Sequence, residues 1–590
     1  MSTSFPPHAL HDYALLADEE RGALIGPDGA IGWLCAPIWH DDALFASLIG
    51  GRGVYAITPR DTHVFGGYYE EGTLIWRSRW VSVDGVVECR EALAFPGERG
   101  RLVLLRQLHA VNGPARLSVV LDPHGGYGRE PLSHIHRHDD GVWELRSGAH
   151  HLRWQGAPSA VPEERGLVAD IELGEGERHD LILECSDTAL PRDLPRGGPT
   201  WAATENAWRH TVPLLENTIA PMDARRYYAV LRGLTSHGGG MVAAATTSLP
   251  ERAEEGRNYD YRYVWIRDQS FAGQAAAAAG APELLDDAVR FVSERLHTDG
   301  PHLAPADTVH GTDVPGQQDL DLPGYPGGFD RIGNRVRDQF QLDCFGKALL
   351  LFAAAERHRR LDDTAGQAVT IAVDAIVERW QQPDAGIWEL DDRMWTHSRL
   401  TCVAGLRAIA AAAPGHPLAD TCTGLADTLL AATSTTCVHP DGRWQRAPKD
   451  PHVDAALLLP LVRGALPPDD TRTRTTLDAC RRELTQDHFG HRFRHDDRPL
   501  EEAEGAFLLC GFVMALAEHQ HGDAVAAHRW FERNRDTCGA SGLYAEEFDI
   551  AQHQLRGNLP QAFVHALLLE TATRLTEAPP VHKTRYAQGK

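Results

Sequence analysis

Three stretches of the chain set carboxylates beside aromatic and arginine side chains. Asn258 to Asp268 reads NYDYRYVWIRD, so Tyr259, Tyr261, Tyr263 and Trp265 alternate and lead into Arg267-Asp268. Aromatic faces stack on the apolar faces of sugar rings, and adjacent Arg and Asp side chains can hydrogen-bond vicinal hydroxyls in a fork. A packed helix entry, with Asp268 as N-cap and Arg267 in a surface ion pair, uses the same residues equally well. Pro383 to Glu389 reads PDAGIWE. A glutamate beside Trp388 is partly desolvated, which raises a carboxyl pKa and suits a proton donor; a lone loop glutamate is more often simply solvated. Leu543 to Asp549 reads LYAEEFD. Three carboxylates between aromatics are costly unless they face water, a cation or a sugar. Glu546 is a candidate proton acceptor there, and an acidic solvated loop is the plain alternative.

The elements around these stretches decide whether they meet. Near residue 200 the chain changes period. Before it, Leu74 to Val83, Arg101 to His109, Arg116 to Leu121, Gly141 to Arg146, Val168 to Leu173 and Leu181 to Cys185 alternate with period two. Turn signals such as Val111-Asn112-Gly113 separate them, which predicts an antiparallel β-sandwich. After it, twelve alanine- and leucine-rich helices are predicted, starting near 222, 268, 282, 337, 363, 396, 417, 450, 470, 500, 522 and 559. Short links such as Gly280-Ala281-Pro282 alternate with long segments at 237–267, 298–336, 382–395, 433–449, 488–499 and 538–558. Six helical hairpins with all long loops on one side fit a closed (α/α)6 barrel. An open helical solenoid is the competing architecture, but it would show self-similarity at a fixed period, and none is visible. In the closed ring, the loops after the first, fifth and eleventh helices share a face. That brings Arg267/Asp268, Glu389 and Glu546 to one aromatic-lined cleft. Two carboxyls across such a cleft are what glycosidic bond cleavage needs: one protonates the leaving oxygen and the other activates water.

The predicted domains are a sandwich over 1–200, a helical linker over 201–221, a catalytic barrel over 222–578 and a polar tail over 579–590. The sandwich loop 123–140 is a candidate for the pocket rim. The chain of 590 residues carries 58 basic against 82 acidic side chains, a formal charge of −24. Such a surface repels phosphate backbones and anionic membranes, so neither nucleic acid nor membrane is an expected partner. Only four of the basic residues are lysines (Lys347, Lys449, Lys583, Lys590). No stretch approaches 18 uninterrupted apolar residues, and Met1 to Gly26 lacks a signal-peptide pattern. The ten cysteines are scattered without a CxxC pair, so buried thiols in a reducing cytoplasm are expected rather than a zinc site or disulfides. No HExxH and no GxxxxGK[ST] occur, and His397 and His565 sit in apolar helices. No metal and no cofactor are expected.

In five blocks the sequence resembles glycoside hydrolase family 15, the glucoamylase and trehalase-like enzymes, in its bacterial form. The opening Asp12 to Leu16 and Gly29 to Cys35 are similar to the trehalase-like N-terminal domain. Tyr261 to Asp268, Arg331 to Asn334 with Gln341 to Asp343, Gly386 to Glu389, and Ala545 to Asp549 with Gly557 to Phe563 follow in order along the barrel. The resemblance implies that Glu389 is the general acid and Glu546 the general base. Arg267 and Asp268 would hold the hydroxyls of the terminal glucose, with Tyr261 and Trp265 shaping its pocket. Arg331, Asn334, Trp388, Glu547 and Phe563 are the further implied contacts. It also implies inversion, so that a small α-linked gluco-oligosaccharide or disaccharide releases β-glucose from its non-reducing end. Fungal glucoamylases carry a second carboxylate directly after the acid, where this chain has Leu390; Gly32 and His40-Asp41 depart from the common bacterial pattern. Dedication to trehalose is the alternative on the same machinery. A phosphorylase would not need Glu546, whose carboxylate repels phosphate. A silent sugar-binding protein would not need both carboxyls.

Overall fold

The computed structural model describes residues 5–578 apart from 254–255, 416, 496–497, 501 and 503. The predicted tail at 579–590 therefore lies outside the described residues.

The N-terminal part is two antiparallel sheets. One runs, in spatial order, Ala14–Ala17, Gly22–Ile25, Ala30–Cys35, Val54–Pro59, Ala115–Asp122, Gly166–Leu173 and Val161–Glu163, with Ala43–Phe45 added on Ala30–Cys35. The other runs Leu132–Arg137, Trp143–Ser147, His150–Gln155, Arg178–Ser186, Arg101–Asn112, Val86–Leu93, Trp76–Ser82 and His63–Tyr69. Each alternating run named above falls on one of these strands, with 74–83 and 141–146 starting two residues before theirs. The sheets meet face to face. Trp154 donates to the Tyr55 hydroxyl at 3.1 Å, and buried Arg106 pairs with Glu91 at 2.6 Å while donating to the Tyr55 carbonyl at 2.9 Å.

A helix over Gly197–Thr211 joins the sandwich to twelve further helices among the described residues. These are α1 (Pro221–Leu234), α2 (Ile266–Ala279), α3 (Pro282–Asp299), α4 (Asp343–Arg357), α5 (Asp363–Arg379) and α6 (Thr396–Ala412). They continue with α7 (Ala419–Cys437), α8 (Leu458–Val462), α9 (Thr471–Glu483), α10 (Leu508–Gln520), α11 (Ala524–Arg535) and α12 (Ala562–Arg574). The even-numbered helices pack in sequence, α2 on α4, α4 on α6, α6 on α8, α8 on α10, α10 on α12, and α12 back on α2. That closes the ring and excludes the open solenoid. Each even helix except α8 is buried nearly all round, whereas odd helices such as α5 and α9 bury one stripe. The sequence shows the same division: an inner helix such as LLCGFVMALAEHQ is apolar on every face, while TRTRTTLDACRRE is not.

Three helix starts differ from the sequence expectation. The fourth helix begins at Asp343 rather than near 337, because Asn334 caps a separate 3-10 turn over Arg335–Asp338, accepting from Val336 N–H at 3.0 Å. The eighth is not a helix from 450. Asp454 caps a 3-10 turn over Ala455–Leu457, and five α-helical residues follow before Gly464 turns left-handed. The tenth starts at Leu508 rather than near 500, because Ala506–Phe507 is drawn into a strand against Glu547–Asp549.

Sandwich and barrel interlock through buried polar contacts. Arg262 and Asp260, 1% and 0% exposed at their side chains, pair at 2.7 Å, and the Arg262 guanidinium reaches across to donate to the Asp41 carbonyl at 2.9 Å. Trp33 donates to the Ala245 carbonyl at 2.8 Å. The loop 123–140 meets the barrel through Tyr127, whose ring lies 5.8 Å from the Arg262 guanidinium. The rim segment 322–325 instead rests on other sandwich residues, with Gly324 N–H on the Ile49 carbonyl and Tyr325 hydroxyl on the His8 carbonyl. Removing the cation of a buried pair leaves its carboxylate uncompensated, at a cost of about 3–5 kcal/mol. Arg262→Met should lower the unfolding free energy in urea by that amount, followed by tryptophan fluorescence; unchanged stability would show that the pair contributes nothing.

Candidate active site

The long segments follow α1, α3, α5, α7, α9 and α11, so they lead into the N-termini of the inner helices at one end of the ring. They enclose a cleft of about 670 Å³. Glu251, Arg257, Tyr259 and Tyr261 enter it from the segment after α1, with Arg267 from the first turn of α2. The segment after α3 supplies Gln317, Gln318, Asp319, Arg331, Asn334, Arg335 and Gln339, and the one after α5 supplies Ile387, Trp388, Glu389 and Leu390. Arg492, Phe493, His495, Arg498 and Phe507 come from the segment after α9, Glu546 from that after α11, and Phe563 from α12.

Six of the residues expected at the site thus line the cleft beside the two carboxyls: Tyr261, Arg267, Arg331, Asn334, Trp388 and Phe563. Trp265, Asp268 and Glu547 do not. They are buried behind its wall and act on residues that line it. The loop 123–140 also contributes no cleft residue, because it is spent on the Arg262 contact. The segment after α7 contributes none either, but its Asp454 accepts from Trp388 Nε1 at 2.9 Å and fixes that ring. Phe507 meets Trp388 edge-on at 5.3 Å and stacks with Phe563 at 5.9 Å, giving one apolar wall.

Glu389 sits in a tight turn. Its own φ is +56° and Gly386 has φ +68°, with Leu390 N–H on the Ala385 carbonyl at 2.9 Å. Left-handed backbone at a glutamate is strained, and the surroundings hold it there. Buried Asp384 accepts from Gly386 N–H at 2.9 Å and from Ser398 Oγ at 2.7 Å, and it pairs with Arg399. The Glu389 carboxylate accepts from Trp265 Nε1 at 2.8 Å and lies 3.4 Å from Arg267 Nη1. Arg267 is itself oriented by Asp268 at 2.9 Å and by the Ile387 carbonyl at 2.9 Å. Burial raises the Glu389 carboxyl above its ordinary value, against the pull of Arg267 and the indole. A quarter of the side chain stays exposed to the cleft.

Glu546 stands in different surroundings. It is 5% exposed and accepts from the Tyr261 hydroxyl at 3.1 Å. The same hydroxyl lies 3.3 Å from Glu251 Oε1. Burial first, then the neighbouring Glu251 and Glu547 carboxyls, push Glu546 well above the usual carboxylate range. Glu547 rests on Gly505 N–H at 2.8 Å. Arg257 answers part of this charge, 2.9 Å from Glu251 and 3.1 Å from Glu504. Sequence reading missed Glu251, Arg257 and Glu504. The usable signal for Glu251 was its place in a long loop of the site face, directly after the uncharged run Met241 to Pro250.

Among the described residues no group of three or more His, Cys, Asp or Glu side chains is placed to hold a metal ion, and no helix is long and apolar enough to cross a membrane. A cleft with two unlike carboxyls, an aromatic wall and an oriented arginine is suited to hydrolysing glycosides.

Residues 228–573 match the glycosyl hydrolases family 15, and residues 6–151 match the trehalase-like N-terminal domain. The chain belongs to family 15 and is a glycoside hydrolase. It is 28% identical to the trehalase of Mycobacterium tuberculosis, with 97% of this chain and 90% of that protein covered. It is 26% identical to the trehalase of Thermoplasma acidophilum, over 94% of this chain and 98% of that one. A crystal structure of a bacterial glucoamylase complexed with acarbose shares the fold, with a TM-score of 0.68 at 13% identity over 97% of this chain and 96% of that one.

The indole hydrogen bond favours the charged form of Glu389, so removing it raises the carboxyl further. Trp265→Phe keeps the ring and loses the donor. Carboxyl 13C NMR, with Glu389→Gln to assign the signal, should show Glu389 titrating at higher pH in this variant than in the wild type.

Proposed function

We propose that this chain is an inverting, exo-acting α-glucoside hydrolase and that α,α-trehalose is its substrate. The similarity to trehalases along nearly the whole chain, sandwich included, carries the choice of trehalose. A longer malto- or isomalto-saccharide is the second reading, favoured by the likeness in fold to a glucoamylase bound to acarbose.

Glu389 is the general acid. It is raised by burial, yet its quarter-exposed carboxyl faces the cleft, where a glycosidic oxygen can take its proton. Glu546 is the general base and removes a proton from the water that attacks the anomeric carbon. Inversion needs the two carboxyls about 6.5–9.5 Å apart, leaving room for that water. Arg267, oriented by Asp268, holds the hydroxyls of the non-reducing glucose, and Tyr261, Trp388 and Phe563 pack on its ring. Arg331 and Asn334 lie toward the leaving sugar, with Leu390 where fungal glucoamylases have a carboxylate. Trp265 positions Glu389, and Glu547 acts on Glu546 rather than on sugar.

We divide the chain into a sandwich at 1–200, a linker at 201–221 and a catalytic barrel at 222–578, and we assign it to the cytoplasm. Ten unpaired cysteines, nine of them buried, support a reducing compartment.

Proton NMR of the protein with trehalose, maltose and isomaltose in parallel tests the reading. Hydrolysis of trehalose with inversion should release α- and β-glucose in equal initial amounts, one from each half. Glu389→Gln and Glu546→Gln should each lower kcat by about 10²–10⁴-fold. Two α-glucose molecules per turnover would refute inversion, and cleavage confined to maltose or isomaltose would refute trehalose.

A further inference from the structure

The cleft holds a third carboxyl that neither step above uses. Glu251 lines the cleft, is 3% exposed, and shares the Tyr261 hydroxyl with Glu546 at 3.3 and 3.1 Å. The shared hydroxyl sets the two carboxyls side by side, and each acts on the other's hold on a proton. Two buried carboxyls this close do not both ionise in the ordinary range unless cations compensate them. Among the described residues one cation adjoins the pair, and it favours one partner: Arg257 lies 2.9 Å from Glu251 Oε2. The pair is therefore asymmetric: burial raises both carboxyls, Arg257 pulls Glu251 back down, and Glu546, without a cation of its own, stays well above the usual carboxylate range.

We propose that Glu251 is a positioning residue for water activation: its carboxylate, anchored by Arg257, makes Glu546 a strong base and accepts a hydrogen bond from Glu546 once that residue has taken the proton. This rests on Glu546 being the base. In the step itself, a water O–H bond breaks and its proton goes to Glu546. The water oxygen bonds to the anomeric carbon, and the bond from that carbon to the leaving group breaks. Before the step the two carboxylates repel each other; as the proton arrives, repulsion becomes a hydrogen bond. That gain exists only along the reaction path, so it lowers the barrier rather than tightening ground-state binding.

Among the described residues, the other charged or titratable groups facing the pair are these. Tyr259 stacks on Tyr261 from the same segment. Glu547 adjoins Glu546, and its charge adds to the repulsion. Glu504 faces from the segment after α9, held by Arg492 at 2.5 Å and His495 at 2.9 Å. Glu389 acts from across the cleft on Tyr261. The signs follow. A like charge raises Glu546, so neutralising Glu251 lowers it. The Tyr261 hydroxyl favours ionised Glu546, so removing it raises Glu546.

The probe is α-D-glucosyl fluoride, whose fluoride leaves without protonation, so the rate reports the base alone and needs no knowledge of the natural linkage. In kcat/KM against pH, Glu251→Gln should move the acid limb down by about one unit or more and lower the plateau, because the base is weaker. Tyr261→Phe should move the same limb up. Opposite shifts are the signature, since damage to the fold lowers both plateaus without moving either limb. An acid limb that stays put in folded Glu251→Gln, while Glu546→Gln has lost fluoride hydrolysis, would overturn the proposal alone. Full fluoride hydrolysis by Glu546→Gln would instead overturn the assignment of the base. If Glu251→Gln does not fold, Arg257→Gln keeps the test open. Loss of its cation should leave Glu251 harder to ionise and move the limb; an unmoved limb overturns the coupling.

Discussion

The structure depends on one buried cation. Arg262 comes from the barrel, but its guanidinium is spent on Asp260 and on the sandwich, against the Asp41 carbonyl, Cys35 and the rings of Trp33 and Tyr127. Its neighbours in sequence are Tyr261, which faces the cleft, and Tyr263, whose ring lies 5.8 Å from that of His40 in the sandwich. The extended backbone at 259–265 is thus pinned on one side to the sandwich while its other side reaches Glu546 and, through Trp265, Glu389. Asp260 extends the same tie. It accepts from Gly333 N–H at 3.0 Å, and its carbonyl accepts from Asn334 Nδ2 at 3.2 Å, so the segment after α3 is set by the same residue. A buried charge tolerates little displacement, because any unpaired position costs several kcal/mol. The sandwich thereby fixes the segment 259–265 without supplying a residue to the lining of the cleft.

The ring adds a second constraint. Six inner helices present their N-termini to the site face, where partial positive charge and unpaired N–H groups favour anionic side chains. Asp268 and Asp343 occupy the first turns of α2 and α4, both fully buried, the former on Arg267 and the latter on Lys347. Lys347 is one of only four lysines in the chain. A floor of charged groups that are already partnered lets Arg267 point into the cleft without wandering, as orientation of a sugar hydroxyl requires.

Much of this was legible in the sequence. Helix count, the alternation of short and long links and the shared face of the odd segments followed from period and loop length, which the ring's geometry dictates. The late start of α4, the truncation of α8 and the delay of α10 were not legible. Each is set by a side-chain cap or a strand pairing whose partner is distant, as with Phe507 against Glu547. Among the site residues, those inside aromatic-rich blocks stood out. Trp265, Asp268 and Glu547 stood out for the same reason, yet they face away from the cleft; spacing identifies a segment but not which side of it points inward. Glu251 gave the opposite error, since nothing local marks a glutamate as the partner of another nearly 300 residues away.

The two cleft carboxyls stand in unlike surroundings, as the proposed division into acid and base requires. Glu389 is held by cationic and neutral donors and remains in touch with the cleft, whereas Glu546 is buried among its own kind. Burial raises both carboxyls, and at Glu546 the neighbouring Glu251 and Glu547 push in the same direction. A bound sugar alters only one side. It covers the exposed quarter of Glu389 and strips its water, which raises that carboxyl further, while Glu546 is already dry and has little to lose. On the proposed roles, occupancy therefore favours the proton on Glu389, the acid, and adds little to the burial of Glu546. On those roles, a bound sugar itself helps Glu389 to hold the proton that bond cleavage needs.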